Sequence, residues 1–115
     1  MTKKRAPSKR ARTERREAER AGVKLAESRL KLALLEPGGS PDRPIEVTSA
    51  SVVEPHATGL GCAACGGATR IEEHSAVTLA DRTGAPRSLR VARVRCARCG
   101  VTRDVYFRLQ ASTVN

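Results

Sequence analysis

Apolar residues recur with a helical period early in the chain and alternate with polar ones later. From Ala11 to Glu36 the sequence is dominated by Ala, Arg, Glu, Lys and Leu, all strong helix formers, and Pro37-Gly38-Gly39-Ser40-Pro41 ends the run. At about 100° per residue, Val23, Ala26, Leu30, Ala33 and Leu34 fall on one stripe, Leu25 and Leu32 point nearly opposite, and Leu35 lies between. This spacing predicts a helix over residues 11–36. Its broken apolar stripe favours a solvated rod over a docked or coiled-coil helix. The three prolines and two glycines of residues 37–44 read as a linker to a folded domain at 45–110.

Within that domain the period shortens to two. Ile45, Val47, Ser49, Ser51 and Val53 share a face of an expected first strand. Ile71, Glu73, Ser75, Val77 and Leu79 alternate with Glu72, His74, Ala76 and Thr78, and Asp81-Arg82-Thr83-Gly84-Ala85-Pro86 supplies turn chemistry, so a hairpin is predicted. On the returning arm the apolar phase moves from Leu89 and Val91 to Val94, which implies a bulge near Ala92 or Arg93. Val101, Arg103, Val105, Phe107 and Leu109 lie on one face of a final strand, opposite Thr102, Asp104, Tyr106 and Arg108. A small β domain with about three antiparallel strands results, preceded by a helix.

Composition shows that apolar burial alone is a weak basis for this domain. There is no tryptophan, and Tyr106 and Phe107 are the only aromatic residues, so the large contacts that usually dominate small cores are scarce. The longest apolar run is Leu32-Ala33-Leu34-Leu35, far below the ~20 residues of a membrane-spanning helix. The basic start leads into further charge and not into the apolar stretch of a signal peptide. A protein that is not secreted, cytoplasmic or associated with nucleic acid, is expected, and in such a reducing setting paired cysteines favour metal binding over disulfides.

Charge divides the chain. Residues 1–16 hold eight cations, Lys3, Lys4, Arg5, Lys9, Arg10, Arg12, Arg15 and Arg16, against Glu14 alone. Residues 1–10 are therefore expected to form a disordered basic arm, and 111–115 a tail. Residues 41–81 carry a net −4, and residues 86–108 return to +6 through Arg87, Arg90, Arg93, Arg95, Arg98, Arg103 and Arg108 against Asp104.

The strongest chemical signal is a doubled motif, Cys62-Ala63-Ala64-Cys65-Gly66-Gly67 and Cys96-Ala97-Arg98-Cys99-Gly100. In such a turn two thiolates converge, backbone N–H groups point at sulfur, and the glycine after the second cysteine permits the required positive φ. Two half-sites joined by a hairpin give four thiolates in a tetrahedron, the closed arrangement of structural Zn²⁺. A disulfide pair and a redox-active Cys-x-x-Cys are the competing readings. On these residues the sequence resembles the zinc-ribbon group over roughly residues 60–110. That resemblance implies a zinc-stabilised β fold with one structural Zn²⁺ on Cys62, Cys65, Cys96 and Cys99. The cysteine spacing alone also looks like rubredoxin, which would imply iron and electron transfer.

No nucleophile, base and orienting acid occur together, no phosphate-binding glycine loop is present, and adjacent Glu72 and Glu73 should point to opposite faces of a strand. His56 and His74 are expected at the surface. The reading is a non-catalytic zinc-ribbon protein associated with DNA or RNA with little sequence preference. The basic residues of 1–16 and the seven arginines of 87–108 would contact phosphates, and Tyr106 would offer a stacking ring. The alternatives are a structural or protein-interaction zinc module, with Val23, Leu30 and Leu34 docking a partner, and a rubredoxin-like or thiol-redox protein.

Overall fold

A computed structural model describes residues 9–110. The expected arm at Lys3, Lys4 and Arg5 and the tail at 111–115 lie outside the described residues. The chain forms helix α1 (Lys9–Leu35), strand β1 (Ile45–Val47), a single 3₁₀ turn (Ala50–Val52), helix α2 (Val53–Gly59), and strands β2 (Thr69–Ala80), β3 (Pro86–Cys96) and β4 (Thr102–Leu109). The four strands make one mixed sheet in the order β1-β4-β3-β2. Three of them form the expected antiparallel array, and β1 adds a short parallel strand on β4, with Ile45 opposite Phe107 and Val47 opposite Leu109. Among the described residues no helix is long and apolar enough to cross a membrane.

The expected strand at 45–53 stops after three residues, and the chain turns into α2. Pro55 explains the difference: a residue without an N–H cannot continue a paired strand, but the first turn of a helix leaves its N–H groups unbonded in any case. Val53 and Ala57, four positions apart, then face one side of α2 and become fully buried against the sheet. They join Val47, Ala92, Val94, Val105 and Phe107 in the main core, with Ile45 and Ile71 at its border. Phe107 anchors it, fully buried and edge-on to the His56 ring at 5.6 Å between centroids. Helix α2 also covers His74, whose Nδ1 lies 3.3 Å from a Glu54 carboxylate oxygen. His74 is thus half-buried and not on a free surface.

The bulge falls on β2 and not on β3. Ile71 pairs with Val94 and Glu73 with Arg93, leaving Glu72 as the extra residue. Strand β3 stays regular against β4. Its apolar phase changes because this inner strand turns Leu89 and Val91 to one face and Ala92 and Val94 to the other. The bulge also brings Glu72 to Arg95 at 3.2 Å and Glu73 to Arg93 at 4.0 Å, so both acids reach arginines of one β3 face, contrary to the expected opposite orientation.

Residues 37–44 form a folded connection that is attached to the sheet. The Tyr106 N–H donates to the Gly38 carbonyl at 2.8 Å, so this segment continues the edge of β4 where β1 leaves off. Gly38 has φ of 85°, and a Cβ there would stand 2.7 Å from Ile45 Cδ1 and 2.9 Å from Val105 Cγ1, so only glycine fits. The Arg43 guanidinium donates to the Leu35 carbonyl at 2.8 Å and satisfies one of the open acceptors at the end of α1. Helix α1 therefore leaves the domain in a defined direction. Its last turns pack through Ala26, Leu30 and Ala33, whereas the charged side chains of residues 9–24 are exposed, as the broken stripe suggests.

Candidate metal centre

The two cysteine motifs fold into the same turn twice. In the first, Gly66 N–H donates to the Cys62 carbonyl at 2.8 Å and Cys62 N–H to the Gly67 carbonyl at 2.9 Å. In the second, Gly100 N–H donates to the Cys96 carbonyl at 3.0 Å and Cys96 N–H to the Val101 carbonyl at 2.9 Å. Gly66 and Gly100 close these turns at φ of 75° and 77°, a backbone state that would strain any residue with a Cβ. One turn precedes β2 and the other joins β3 to β4. Thr69 pairs with Cys96 at the open end of the β2–β3 hairpin, and Ala97 N–H donates to the Ala68 carbonyl at 3.1 Å, so strand register alone sets the turns side by side.

All four Sγ atoms lie within 4.8 Å of one another. The Cys62–Cys99 and Cys65–Cys96 sulfurs are 3.5 Å apart in each case, too far for the ~2.05 Å disulfide bond. A regular tetrahedron with metal–sulfur arms of ~2.3 Å has edges of about 3.8 Å. The cluster therefore has the dimensions of a four-thiolate metal shell. The donor set fits as well: Gly67 N–H donates to Cys65 Sγ at 3.4 Å, and Arg98 and Cys99 N–H donate to Cys96 Sγ at 3.3 and 3.4 Å, leaving sulfur lone pairs stabilised in the anionic state. Close approach depends on Gly67, where a Cβ would sit 3.1 Å from Cys96 Sγ and 3.2 Å from Cys65 Sγ.

Proton affinities within the cluster diverge. The Cys99 N–H bond, with help from Arg98 N–H and against the cost of burial, pulls Cys96 down to about 6. At Cys99 the Val101 N–H bond acts downward, but partial desolvation of the sulfur and the three neighbouring sulfurs outweigh it and push the thiol up to about 12. Four sulfurs this close cannot all ionise until a cation balances them. At neutral pH Cys99 accordingly holds its proton in the metal-free chain, and metal binding is expected to release at least one proton. Calorimetric titration with Zn²⁺ in two buffers of different ionisation enthalpy reads this directly; a binding heat independent of buffer would contradict it.

The sulfurs are covered unequally, with Cys62 and Cys96 buried, Cys65 half-buried and Cys99 exposed. Aliphatic groups form the surround: Ala64 and Val101 from the turns, and Ala26 and Leu30 from α1. Arg29 adds a guanidinium N–H donated to the Ala64 carbonyl at 3.4 Å. The involvement of α1 is the part of the site that the sequence reading missed. Its signal was present in the stripe containing Ala26, Leu30 and Ala33, which is just wide enough to cover a small cluster.

The remaining expected site residues are dispersed. Arg93 pairs with Asp104 at 3.0 Å and reaches Glu73, Arg95 pairs with Glu72, and Arg108 pairs with Glu46. By strand register, Arg87, Arg93, Arg95 and Arg108 belong to one sheet face, Arg90 and Arg103 to the other, and Arg98 to the second cysteine turn. Arg103 is half-buried, with its Nε lacking an acceptor, beside a cavity of about 400 Å³ between α1 and β4 that Leu30, Leu34 and Tyr106 also line. The Tyr106 ring is half-buried there. Lys9, Arg10, Arg12, Arg15 and Arg16 all lie on α1 and are exposed, with Arg10 paired to Glu14 at 3.2 Å. Neither His56 nor His74 belongs to the sulfur cluster, the one group of potential metal ligands found among the described residues. No family model, curated protein or solved structure matches the chain.

Proposed function

We propose that this chain is a non-catalytic, zinc-stabilised module that associates with nucleic acid through positive charge. The observation that carries the metal part is the approach of four Sγ atoms to within 4.8 Å, at tetrahedral dimensions and with backbone N–H groups donated to two of the sulfurs. Four thiolates fill a zinc shell and leave no position for a substrate, which gives the ion a structural role. Zinc is preferred over iron because the surround is aliphatic and lacks the aromatic packing of a rubredoxin-like site.

Support for the nucleic-acid part is electrostatic. The chain carries a formal charge of +10. Helix α1 holds nine cations against four anions, every one of them exposed. Polyanion binding by such a surface releases counterions and is therefore steeply salt-dependent. The test is a titration of the zinc-loaded chain with mixed-sequence DNA and RNA from about 50 to 200 mM salt. Affinity falling linearly with salt on logarithmic axes is expected, and absence of binding at the low end rejects this part of the reading. A protein partner is the second reading. It draws on Leu25, Leu32, Leu34 and Leu35 of α1, which are between 52% and 65% exposed.

A further inference from the structure

The nucleic-acid reading leaves open which surface makes contact, and the arginine-rich sheet is the obvious candidate from composition. Its geometry is unfavourable. Three of its arginines are already paired with carboxylates, and the seven are divided between two faces and a turn. A phosphate contact at Arg93, Arg95 or Arg108 would have to displace an internal partner, and Arg87 and Arg90 lie on opposite faces.

Helix α1 has the opposite character. Packing onto the domain involves Ala26, Leu30 and Ala33, with Arg29 bonded to Ala64. Residues 9–24 therefore extend beyond these contacts over about 22 Å at 1.5 Å per residue. At about 100° per residue, Lys9, Arg12, Arg16, Arg20 and Lys24 fall within a ~120° arc, and Glu14, Glu17 and Glu19 all lie outside it. Among the described residues none of the five cations is in an ion pair. The arc is adjacent to the packed face and is left uncovered by it, and Arg43 and Leu30 hold the helix at its far end.

Resting on the nucleic-acid reading, we infer that this ridge, Lys9, Arg12, Arg16, Arg20 and Lys24, is the contact surface, and that its partner is the phosphate backbone of B-form duplex DNA. The ridge contains no aromatic residue, Phe107 is fully buried, and Tyr106 is half-buried on β4, so the stacking platform that single strands need is missing. The ~12 Å major groove of B-DNA admits an α-helix, whereas the deep, narrow major groove of A-form RNA does not. A helical rod with exposed cations along one side fits the former. Contacts to phosphate alone give no base preference.

The experiment is a salt titration of binding to a mixed-sequence DNA duplex by the zinc-loaded full chain and three variants. For the wild type, five contacts give a log–log slope near −4.5. Arg12→Gln/Arg16→Gln/Arg20→Gln should reduce its magnitude by about 2.7, and the matching triple replacement by Lys should restore it. Arg87→Gln/Arg90→Gln on the sheet should leave the slope unchanged. Helical circular dichroism and zinc content, measured on each variant, establish that the fold is retained; these side chains are exposed or only half-buried and make no ion pair among the described residues. If the wild type binds but the Gln triple keeps its slope, the ridge is overturned and the nucleic-acid reading stands. Equal or tighter binding of duplex RNA or of a single strand overturns the assignment to B-form DNA. No binding by the wild type at low salt removes the nucleic-acid reading itself.

Discussion

Replacing Cys62 or Cys99 by serine is expected to abolish stoichiometric zinc binding and to unfold the domain around it. The two positions differ in burial but not in consequence. Cys62 is buried in the cluster and Cys99 is exposed, so packing loss alone would make the first variant far worse than the second. If the ion holds the turns together, each variant loses one of four thiolates and both fail alike. Structural zinc contributes an apparent ~10 to 16 kcal/mol near neutral pH, as much as the whole net stability of a small domain, ~5 to 15 kcal/mol. Apolar burial cannot substitute, because the main core has seven buried residues and one aromatic ring. Loss of the ion should also free α1, whose Ala26 and Leu30 rest on the cysteine turns. Circular dichroism melts with and without zinc read both effects. A Cys99→Ser chain that melts like the wild type would show that the cluster is not the staple of the fold.

Phe107→Ala is expected to produce the second-largest effect, and by a different route. The ring is fully buried at the centre of the sheet, touches His56 edge-on, and faces α2 through Val53 and Ala57. Truncating such a residue removes its transfer energy and leaves a cavity, a cost of ~3 to 5 kcal/mol. The cysteine turns belong to a separate cluster. Phe107→Ala should accordingly lower stability in denaturant melts at saturating zinc while the zinc stoichiometry stays the same. A loss under ~1 kcal/mol would place the centre of the core elsewhere. Zinc lost together with the ring would show that the two clusters are one cooperative unit.

The parts of the structure legible in the sequence are those that a single local signal decides. Paired cysteines followed by glycine specify a turn whatever surrounds it, and the alternation from Ile71 to Leu79 followed by Asp81-Arg82-Thr83-Gly84 specifies a hairpin. These two features together are enough to bring Cys62, Cys65, Cys96 and Cys99 into reach of one another. What stayed hidden depends on contacts between distant segments. Val53 and Ala57 become core only because α2 folds back over Phe107, and a serine-rich approach with strand-like phase gave no sign of that return. The Pro/Gly segment at 37–44 looked like a spacer because its composition is that of one. Its role came from Gly38, whose carbonyl meets the Tyr106 N–H and whose missing side chain makes room for Ile45 and Val105. The bulge lies at Glu72 and not near Ala92 or Arg93, because an inner strand with two apolar faces imitates a phase shift. Charge along the chain treats the seven arginines of residues 87–108 alike, although strand alternation divides them and Glu46, Glu72, Glu73 and Asp104 neutralise several.

Metal content is the most direct measurement. Mass spectrometry under native conditions, on protein purified without added metal, should find one zinc ion per chain, and chelation of that ion should melt the sheet and release the helix together. A chain that carries iron, or one that is free of metal and still fully folded with reduced thiols, would contradict the assignment of the four sulfurs to a structural zinc ion.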